Sequence, residues 1–559
     1  MKKSYKIIFF FIIVLFLFTR FSGVDFIYHQ DEHRWLLLAD GTEPSSANPH
    51  PPMTLLLMKL TGTIFGFENM RILSLFFSLL NLGLIFLISN KIFNSKKAAL
   101  TAVALFSLNI YSLVAGIQVD MDGAILPFFV LLGYYGYVSF LKENNKKYSL
   151  FLLSLAITGG LLTKASFVLF LAALFLDYLF IAYAKYKGNL RGVLKQVFKA
   201  GLPILTLLGL FVYFYSSRLG TIIDYAAHFQ VFNFDSRAYL EFIFKVAKSF
   251  VWLSPLLTLP ILLGLFIKEI RNRQRFWYLY FFVNFAFYLL VDFAKGPIER
   301  YFMFLVAPAA IISTDFLYYL FKKVDPIKLI RSIAVGVVVF SVFALVILSR
   351  VHIILPLNPK TAYVEYVRNL NFDFLIPFSS GSGPIGFYFS AQFILWSWII
   401  AVLFLGGYAF IKNIKYKNFL LVLFFVTGLG YNIIFMNELL RGDLYGSPDK
   451  IARQTLNFVL GESSIKNVIT YNDIAPYDLK KNNKHLGRFY TAPERDYTPK
   501  MSIFDGYYMI VDFPEIAKPG RYWDLIQRCD EIKRFTHKRV NSYVFDCRFA
   551  SPIVMDKTP

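Results

Sequence analysis

The sequence predicts a polytopic bundle of α-helices in a membrane, followed by a small α/β domain in water. Three observations carry this. Apolar runs of roughly 20 residues, each long enough to cross a hydrocarbon core, recur from the N-terminus to about Leu440. The chain is 57% hydrophobic and 19% aromatic over 559 residues, with mean hydropathy +0.53, which is more apolar surface than a soluble fold hides. From about Asn437 the apolar runs stop and mixed polar sequence follows. Lipid offers the backbone no hydrogen-bond partner, so runs of this length are expected as helices. The alternating strands of a barrel are not seen.

Taken in order, spans are expected at 6–22, 71–90, 98–116, 123–141, 148–163, 165–184, 200–216, 250–267, 276–293, 300–320, 330–350, 388–411 and 418–438, about thirteen helices by the hydropathy-window rule. The first run, Ile7 to Phe21, follows Met1-Lys2-Lys3 like a signal peptide. No small-residue cleavage site follows it, so a retained anchor helix is expected.

The net charge of +22 raises nucleic acid as a partner, but the placement of the charges argues against it. Basic residues cluster in short loops at alternate helix ends: Lys91/Lys96/Lys97, Lys142/Lys146/Lys147, Lys185/Lys187/Arg191/Lys195, Lys268/Arg271/Arg273/Arg275, Lys322/Lys323/Lys328/Arg331 and Lys412/Lys415/Lys417. That is the positive-inside pattern of a multi-pass protein of the cell (inner or plasma) membrane. It puts the N-terminus in the cytoplasm, and an odd helix count puts the C-terminal domain outside.

On this topology the exterior segments are 23–70, 117–122, 217–249, 294–299 and 351–387. The first contains Trp35-Leu36-Leu37-Leu38 and Met53 to Leu60, expected as helices lying in the interface. Domain boundaries are expected at 1–439 for the membrane part and 440–559 for the exterior α/β domain. Within the latter, Val468 to Tyr471, Tyr507 to Val511 and Ser542 to Phe545 read as strands, and Ala452 to Leu460 and Tyr522 to Arg528 as helices. Cys529 and Cys547 are the only cysteines. In an oxidising exterior compartment they are a candidate disulfide, with two free thiols as the alternative.

Charges near a membrane are costly, so their position is informative. The unusual ones gather at exterior helix ends. Asp31, Glu32 and Arg34 lie in the first loop, with His50-Pro51-Pro52 further on. Asp120 and Asp122 precede Gly123, and Lys164 ends the fifth span. Lys295, Glu299 and Arg300 precede Tyr301 at the start of the tenth. Carboxylates facing cations in one exterior cavity suit transfer of a sugar from a lipid phosphate. The acceptor needs a base, and the leaving phosphate needs fixed cations.

These motifs, in this order, resemble the C-type (GT-C) glycosyltransferases: Asp-Glu-x-Arg in the first exterior loop, His-Pro-Pro after it, Asp-Gly opening the fourth span, Leu-Thr-Lys after the fifth, and Arg-Tyr with Pro308 opening a later helix. Within that superfamily the chain looks most like the aminoarabinose-transferase and protein O-mannosyltransferase-like group. The resemblance implies a thirteen-helix enzyme with a C-terminal exterior domain. Its donor would be a polyprenyl-phosphate sugar and its acceptor an exterior glycan, lipid or protein.

Carried over by residue, the resemblance makes Asp31 the base, with Glu32 beside it. Arg34 and Lys164 would hold the donor phosphate, with Arg300, Tyr301 and His50 close to it, and Asp122 would be the second acidic residue, with Asp120 as the alternative. His50 stands where the aminoarabinose enzymes have a Glu-Lys pair, which turns the choice of sugar away from aminoarabinose. No cofactor is required on this reading; His29 and His33 beside the acids leave a divalent cation as the alternative.

Plainer readings stand beside each role. Asp31 and Glu32 can be solvated loop acids, His50 a packing residue of the proline turn, Lys164 a snorkelling lysine and Tyr301 an interfacial aromatic. Asp177, Asp292 and Asp315 read as structural or interhelical. A transporter, a lipid-linked-sugar flippase or an assembly protein is the alternative function. A transporter predicts midplane charges, broken helices and internal repeats; the charges here lie at one face and no internal repeat is found.

Overall fold

The computed structural model describes residues 3–48, 50–142, 146–186, 189, 191–195, 198, 201, 204–213, 230–231, 239–292, 299–321, 326–349, 362–378, 383–471, 474–489, 505–511 and 527–548. The chain divides into two compact units. One is Met1–Phe21 with Leu38–Asp325; the other is Ser22–Leu37 with Pro326–Pro559. This division differs from the expected 1–439 and 440–559. The last three membrane helices and the Asp31 segment group with the C-terminal sheet.

The first unit contains α1 (Lys3–Phe21), α3 (Pro52–Phe65), α4 (Arg71–Phe93), α5 (Lys96–Ser107), α6 (Ile110–Ile117), α7 (Leu126–Lys142), α8 (Lys146–Thr163), α9 (Val168–Lys185), α10 (Ile204–Tyr213), α11 (Tyr239–Gly264), α12 (Lys268–Arg273), α13 (Arg275–Leu290) and α14 (Val306–Phe321). A short helix, α2 (Asp31–Asp40), precedes α3 in the chain. Two short strands, β1 (Gln230–Val231) and β2 (Val291–Asp292), pair antiparallel.

The second unit contributes α15 (Pro326–Leu348), α16 (Ala362–Arg368), α17 (Ala391–Phe410), α18 (Ile414–Arg441), α19 (Pro448–Gly461) and α20 (Pro476–Lys481). Among the described residues eight helices are long and apolar enough to cross a membrane, or up to nine if one bent pair counts as a span. Shorter apolar helices at Lys147–Thr163, Ile204–Tyr213 and Ile333–Leu348 occupy three more of the expected positions. The molecule is a multi-pass membrane protein.

The expected span 98–116 is not one straight helix. It bends by 69° between Ser107 and Ile110. Asn109 causes the break: its side-chain oxygen accepts the N–H groups of Tyr111 and Ser112, replacing the carbonyls a continuous helix would offer. Its amide nitrogen donates to the carbonyls of Trp252 and Leu253. Those carbonyls lie beside a second interruption, where Ser254 has φ +69° and Pro255 follows inside α11. Each break in the ladder thus helps satisfy the other.

In the second unit, α17 and α18 form a helical pair, and α15 packs against α18. An antiparallel hairpin, β3 (Leu375–Phe378) with β4 (Phe387–Ser390), leads into α17, whose N-terminus Ser390 caps. α18 ends at Gly442, which has φ +64° as helix C-termini favour. The buried Glu438 carboxylate then accepts the N–H groups of Leu444 and Tyr445, turning the chain into the C-terminal α/β region.

There α19 covers a five-stranded sheet of order β6-β5-β7-β9-β8, made of β5 (Val468–Tyr471), β6 (His485–Phe489), β7 (Tyr507–Val511), β8 (Asp530–His537) and β9 (Val540–Asp546). β5 runs parallel to β6 and β7, and the other pairings are antiparallel. The three strands read from the sequence lie at β5, β7 and β9. The polar β6 and the exposed β8 lacked the apolar signal. The expected helix Ala452 to Leu460 lies within α19, whereas 522–526 of the other fall outside the described residues. Cys529 and Cys547 are joined in a disulfide, with Cα atoms 4.6 Å apart, closing the open end of the β8–β9 hairpin.

Two local expectations need correction. Asp31-Glu32-His33-Arg34 is not loop but the first turn of α2. Trp35, Leu36, Leu37 and Leu38 are buried against protein at 0–6% exposure, so they do not lie open to a membrane surface. Met53 to Leu60 does form part of a helix, α3, with Leu55 and Met58 inward and Leu56 and Leu60 outward.

Candidate active site

The first unit gathers most of the charged residues singled out from the sequence. The segment between α6 and α7 is a single turn of π-helix, Met121–Ile125, capped by Asp120. Asp120 Oδ1 accepts the Asp122 N–H at 3.0 Å. Asn81 on α4 donates to the Ala124 carbonyl, and Ser74 on α4 donates to the Gln118 carbonyl, so both flanks of the turn are fixed. Gly123 is required by contact: a Cβ there would lie 2.7 Å from the Ala115 carbonyl oxygen. The local i→i+5 widening is a feature often found at functional sites.

This turn presents two carboxylates to two cations. Lys164, in the extended residue between α8 and a short 3₁₀ turn (Ala165–Phe167), donates to both Asp122 oxygens at 2.7 Å. Arg300 Nη1 donates to Asp120 Oδ2 at 2.9 Å. The Tyr301 ring lies beneath both cations, with Lys164 Nζ 4.9 Å and Arg300 Cζ 5.4 Å from its centroid. Tyr301 in turn stacks parallel on Tyr288 of α13.

All four charges are largely withdrawn from water, with side-chain exposures between 3% and 16%. Burial pushes the Asp120 carboxyl up, but Arg300 first, then Lys164, the Asp122 N–H and His50 outweigh it and leave it below the ordinary carboxylate range. Burial likewise pulls the Lys164 ammonium down, and Asp122, Tyr301 and Asp120 outweigh that and hold it above its usual value. His50 is half-buried, and its backbone N–H is bound by the Asn48 side chain. Two of the three Lys164 ammonium donors go to Asp122, so this cation is aimed as well as charged.

Beside the ion pairs lies a small, partly open cleft. Asp122, Arg300 and Tyr301 meet it on one side. Phe167, Phe170 and Phe304 supply its greasy wall, and Ser166, Tyr280 and Asn284 its polar contacts. An anion joined to an apolar body fits such a lining: cations for the head, aromatic rings for the chain.

Asp31, Glu32 and Arg34 belong to the second unit. Gln30, immediately before them, has φ +49°, a conformation costing a non-glycine residue roughly 1–2 kcal/mol. Glu32 is fully buried and its Oε2 accepts the His29 N–H at 3.1 Å, which ties this turn. Asp31 is half-buried and Arg34 exposed. The Nδ1 atoms of His29 and His33 face the carbonyl oxygens of Gly383 and Gln30, so each carries the proton there. Among the described residues no group of three or more His, Cys, Asp or Glu side chains gathers as a metal site. Lys295 lies outside the described residues.

Two buried acids on the helices are interhelical, as read. Asp177 accepts from Tyr137 and Arg275, and Asp315 from Arg273 and Gln274. They are near the other end of α13 from Tyr288. Sequence reasoning missed Arg20, which is fully buried and donates to the Ser107 carbonyl and Ser112 Oγ around the α5–α6 bend. A cation in the last turn of an apolar run was the signal available. It also missed Asn109 and the cleft residues Tyr280 and Asn284, which nothing in a uniformly aromatic helix marks out.

Comparison with known proteins agrees with this architecture. Residues 49–211 match the family model "Dolichyl-phosphate-mannose-protein mannosyltransferase". No curated protein matches the chain in sequence. Among solved structures, ArnT from Cupriavidus metallidurans in the apo state superposes with TM-score 0.54 at 13% identity, covering 98% of this chain and 99% of that one. The same protein bound to undecaprenyl phosphate gives 0.52 at 13%, covering 99% and 100%. At that identity the likeness concerns the fold. The chain has the membrane fold of ArnT, and its residues 49–211 are similar to the dolichyl-phosphate-mannose–protein mannosyltransferases.

Proposed function

We propose that the protein transfers a sugar from a polyprenyl-phosphate carrier to an exterior acceptor, a glycan, lipid or protein. The observation that carries this reading is the buried double ion pair, Lys164–Asp122 and Arg300–Asp120, set over Tyr301 beside an aromatic cleft. A fold shared with a protein solved with undecaprenyl phosphate supports it. Lys164 and Arg300 meet the donor phosphate, and the carboxylates keep both cations aimed in the absence of substrate. An entering phosphate competes with Asp122 for the Lys164 donors. His50 adds to the positive field near Asp120.

In the reaction the acceptor oxygen attacks the anomeric carbon, whose bond to the phosphate oxygen breaks. The electron pair leaves with the phosphate, where fixed cations stabilise it. The acceptor proton passes to a carboxylate. Its assignment to Asp31 rests on the sequence motif, with Glu32 engaged in the turn instead. Direct displacement inverts the anomeric carbon, and no covalent intermediate is invoked. The N-terminus lies in the cytoplasm and the C-terminal domain outside, by the distribution of basic loops.

The test is transfer of labelled sugar from a panel of polyprenyl-phosphate donors by purified, reconstituted protein, with crude membranes as acceptor. Asp31→Asn and Lys164→Met are compared with wild type. Label should leave the lipid with wild type alone, and the product should have the inverted configuration. Wild-type activity in Asp31→Asn removes the base assignment. Absence of transfer from every donor, with lipid movement across the bilayer instead, replaces the enzyme by a flippase.

A further inference from the structure

The soluble C-terminal domain has no role in the reading above, yet it is built around a piece of the first loop. Ile27 is 5% exposed and lies in the hydrophobic core of that domain, among Ile451, Ile474, Val511 and Val544. Its backbone N–H is bound by Asp449 Oδ1 at 2.7 Å, across 422 residues of sequence. Asp449 stands in the first turn of α19, which Ser447 caps, and is itself buried. Arg453, one turn further on, donates to the Asp25 carbonyl and pairs with Asp449 at 3.6 Å.

The contacts continue toward Asp31. The Ala475 N–H bonds the Tyr28 carbonyl at 3.2 Å, and His29 and Ile474 form an antiparallel bridge. The Tyr28 ring meets Tyr477 edge-on. His29 Nδ1 donates to the Gly383 carbonyl at 3.2 Å. The next residue, Gln30, takes the left-handed conformation, and Asp31 follows. A left-handed residue without a glycine's freedom persists only where its neighbours over-determine it.

We infer that the C-terminal domain holds the Asp31 turn in order, and that Asp449 is a positioning residue for Asp31. This deepens the glycosyl-transfer reading and rests on it for the catalytic part, whereas the hold on the turn stands on its own geometry. The domain is then a part of the enzyme and no mere appended acceptor module. Asp449 is the lever because one carboxylate serves the N–H of another segment: Asn keeps the acceptor oxygen, Ala removes it.

The experiment uses the full chain in nanodiscs and compares wild type, Asp449→Asn, Asp449→Ala and Asp31→Asn. Hydrogen exchange is read at residues 22–40, with 507–511 in the domain core as the folding control. Donor KM and kcat are read alongside. In Asp449→Ala, exchange at Ile27 should rise about 10-fold or more while 507–511 stays protected. Its kcat should fall about 10- to 100-fold with donor KM unchanged, the mark of a displaced group. Asp449→Asn should rescue most of both. Asp31→Asn should lose transfer with no change in exchange.

Should Asp449→Ala unprotect 507–511 as well, Arg453→Met replaces it and should loosen residues 22–27 alone. Unchanged exchange in both variants overturns the hold. Faster exchange with wild-type kcat overturns the positioning role. If wild type transfers no sugar from any donor, the functional reading fails, and exchange by itself still decides the hold.

Discussion

At the scale of single residues the energetics turn on buried charges that depend on each other. Removing Lys164 leaves the Asp122 carboxylate buried without the ammonium that binds both its oxygens, a loss of about 3–5 kcal/mol for pairs of this kind. Lys164→Met is therefore expected to lower the thermal midpoint as well as to cut transfer by about a hundredfold or more; Asp122→Asn/Lys164→Met together should recover part of the stability and none of the activity. Scanning calorimetry beside the transfer assay separates the two effects.

The same residues set the pH dependence of stability. Asp120 is depressed in the folded state, so its contribution is present above the unfolded carboxylate pKa and lost as pH falls through the lower folded value. Lys164 is raised, so its contribution is complete below the unfolded lysine pKa and lost as pH climbs through the higher folded value. Melting followed by tryptophan fluorescence should accordingly show an acid limb below about pH 5 in wild type minus Asp120→Asn and an alkaline limb above about pH 10 in wild type minus Lys164→Met, each difference level between those limits. A difference that peaks inside that range, near the histidine pKa, contradicts it.

At the scale of elements the site depends on helices that are interrupted. The π-turn at Met121–Ile125 can present Asp120 and Asp122 together because Gly123 lets it approach α6. Gly123→Ala puts a methyl group 2.7 Å from a backbone oxygen, which cannot swing aside as a side chain would. The expected result is a folded protein with transfer reduced by about tenfold or more, read as kcat against an unchanged melting profile for the C-terminal domain. In that domain, the Cys529–Cys547 bond closes a loop of sequence separation 18 around the β8–β9 hairpin. Chain-entropy arguments give such a loop about 3 kcal/mol, so Cys547→Ser should lower the domain's denaturation midpoint, and a non-reducing gel should show the mobility difference.

At the scale of the whole molecule, the basic loops predict a topology with ends on opposite sides of the membrane; side-specific labelling of cysteines placed at residue 2 and residue 548 should find them in different compartments. That membrane helices recur from the N-terminus to about Leu440 was legible in the sequence, because lipid forces apolar runs into helices; of about thirteen expected, eight, or up to nine, among the described residues are long and apolar enough to cross. The charged residues of the candidate site, Asp120 and Asp122 of the π-turn with Lys164 and Arg300, stood out for a related reason: a charge at a helix end in an apolar chain is costly. Three things were decided only by tertiary structure. Asn109 breaks the third span because its side chain finds both helix N–H groups and the carbonyls of α11, partners more than a hundred residues away. Arg300 is matched to Asp120 and Lys164 to Asp122 by geometry that no local spacing encodes. The Asp31 segment, read as the first exterior loop of the membrane domain, is claimed by the core of the C-terminal domain through Ile27 and Asp449. Sequence alone determined what kind of solvent each segment needs, since that is a property of its own side chains; which charges meet, and which domain owns a loop, depend on contacts between residues far apart in the chain, and only the folded chain chooses among those.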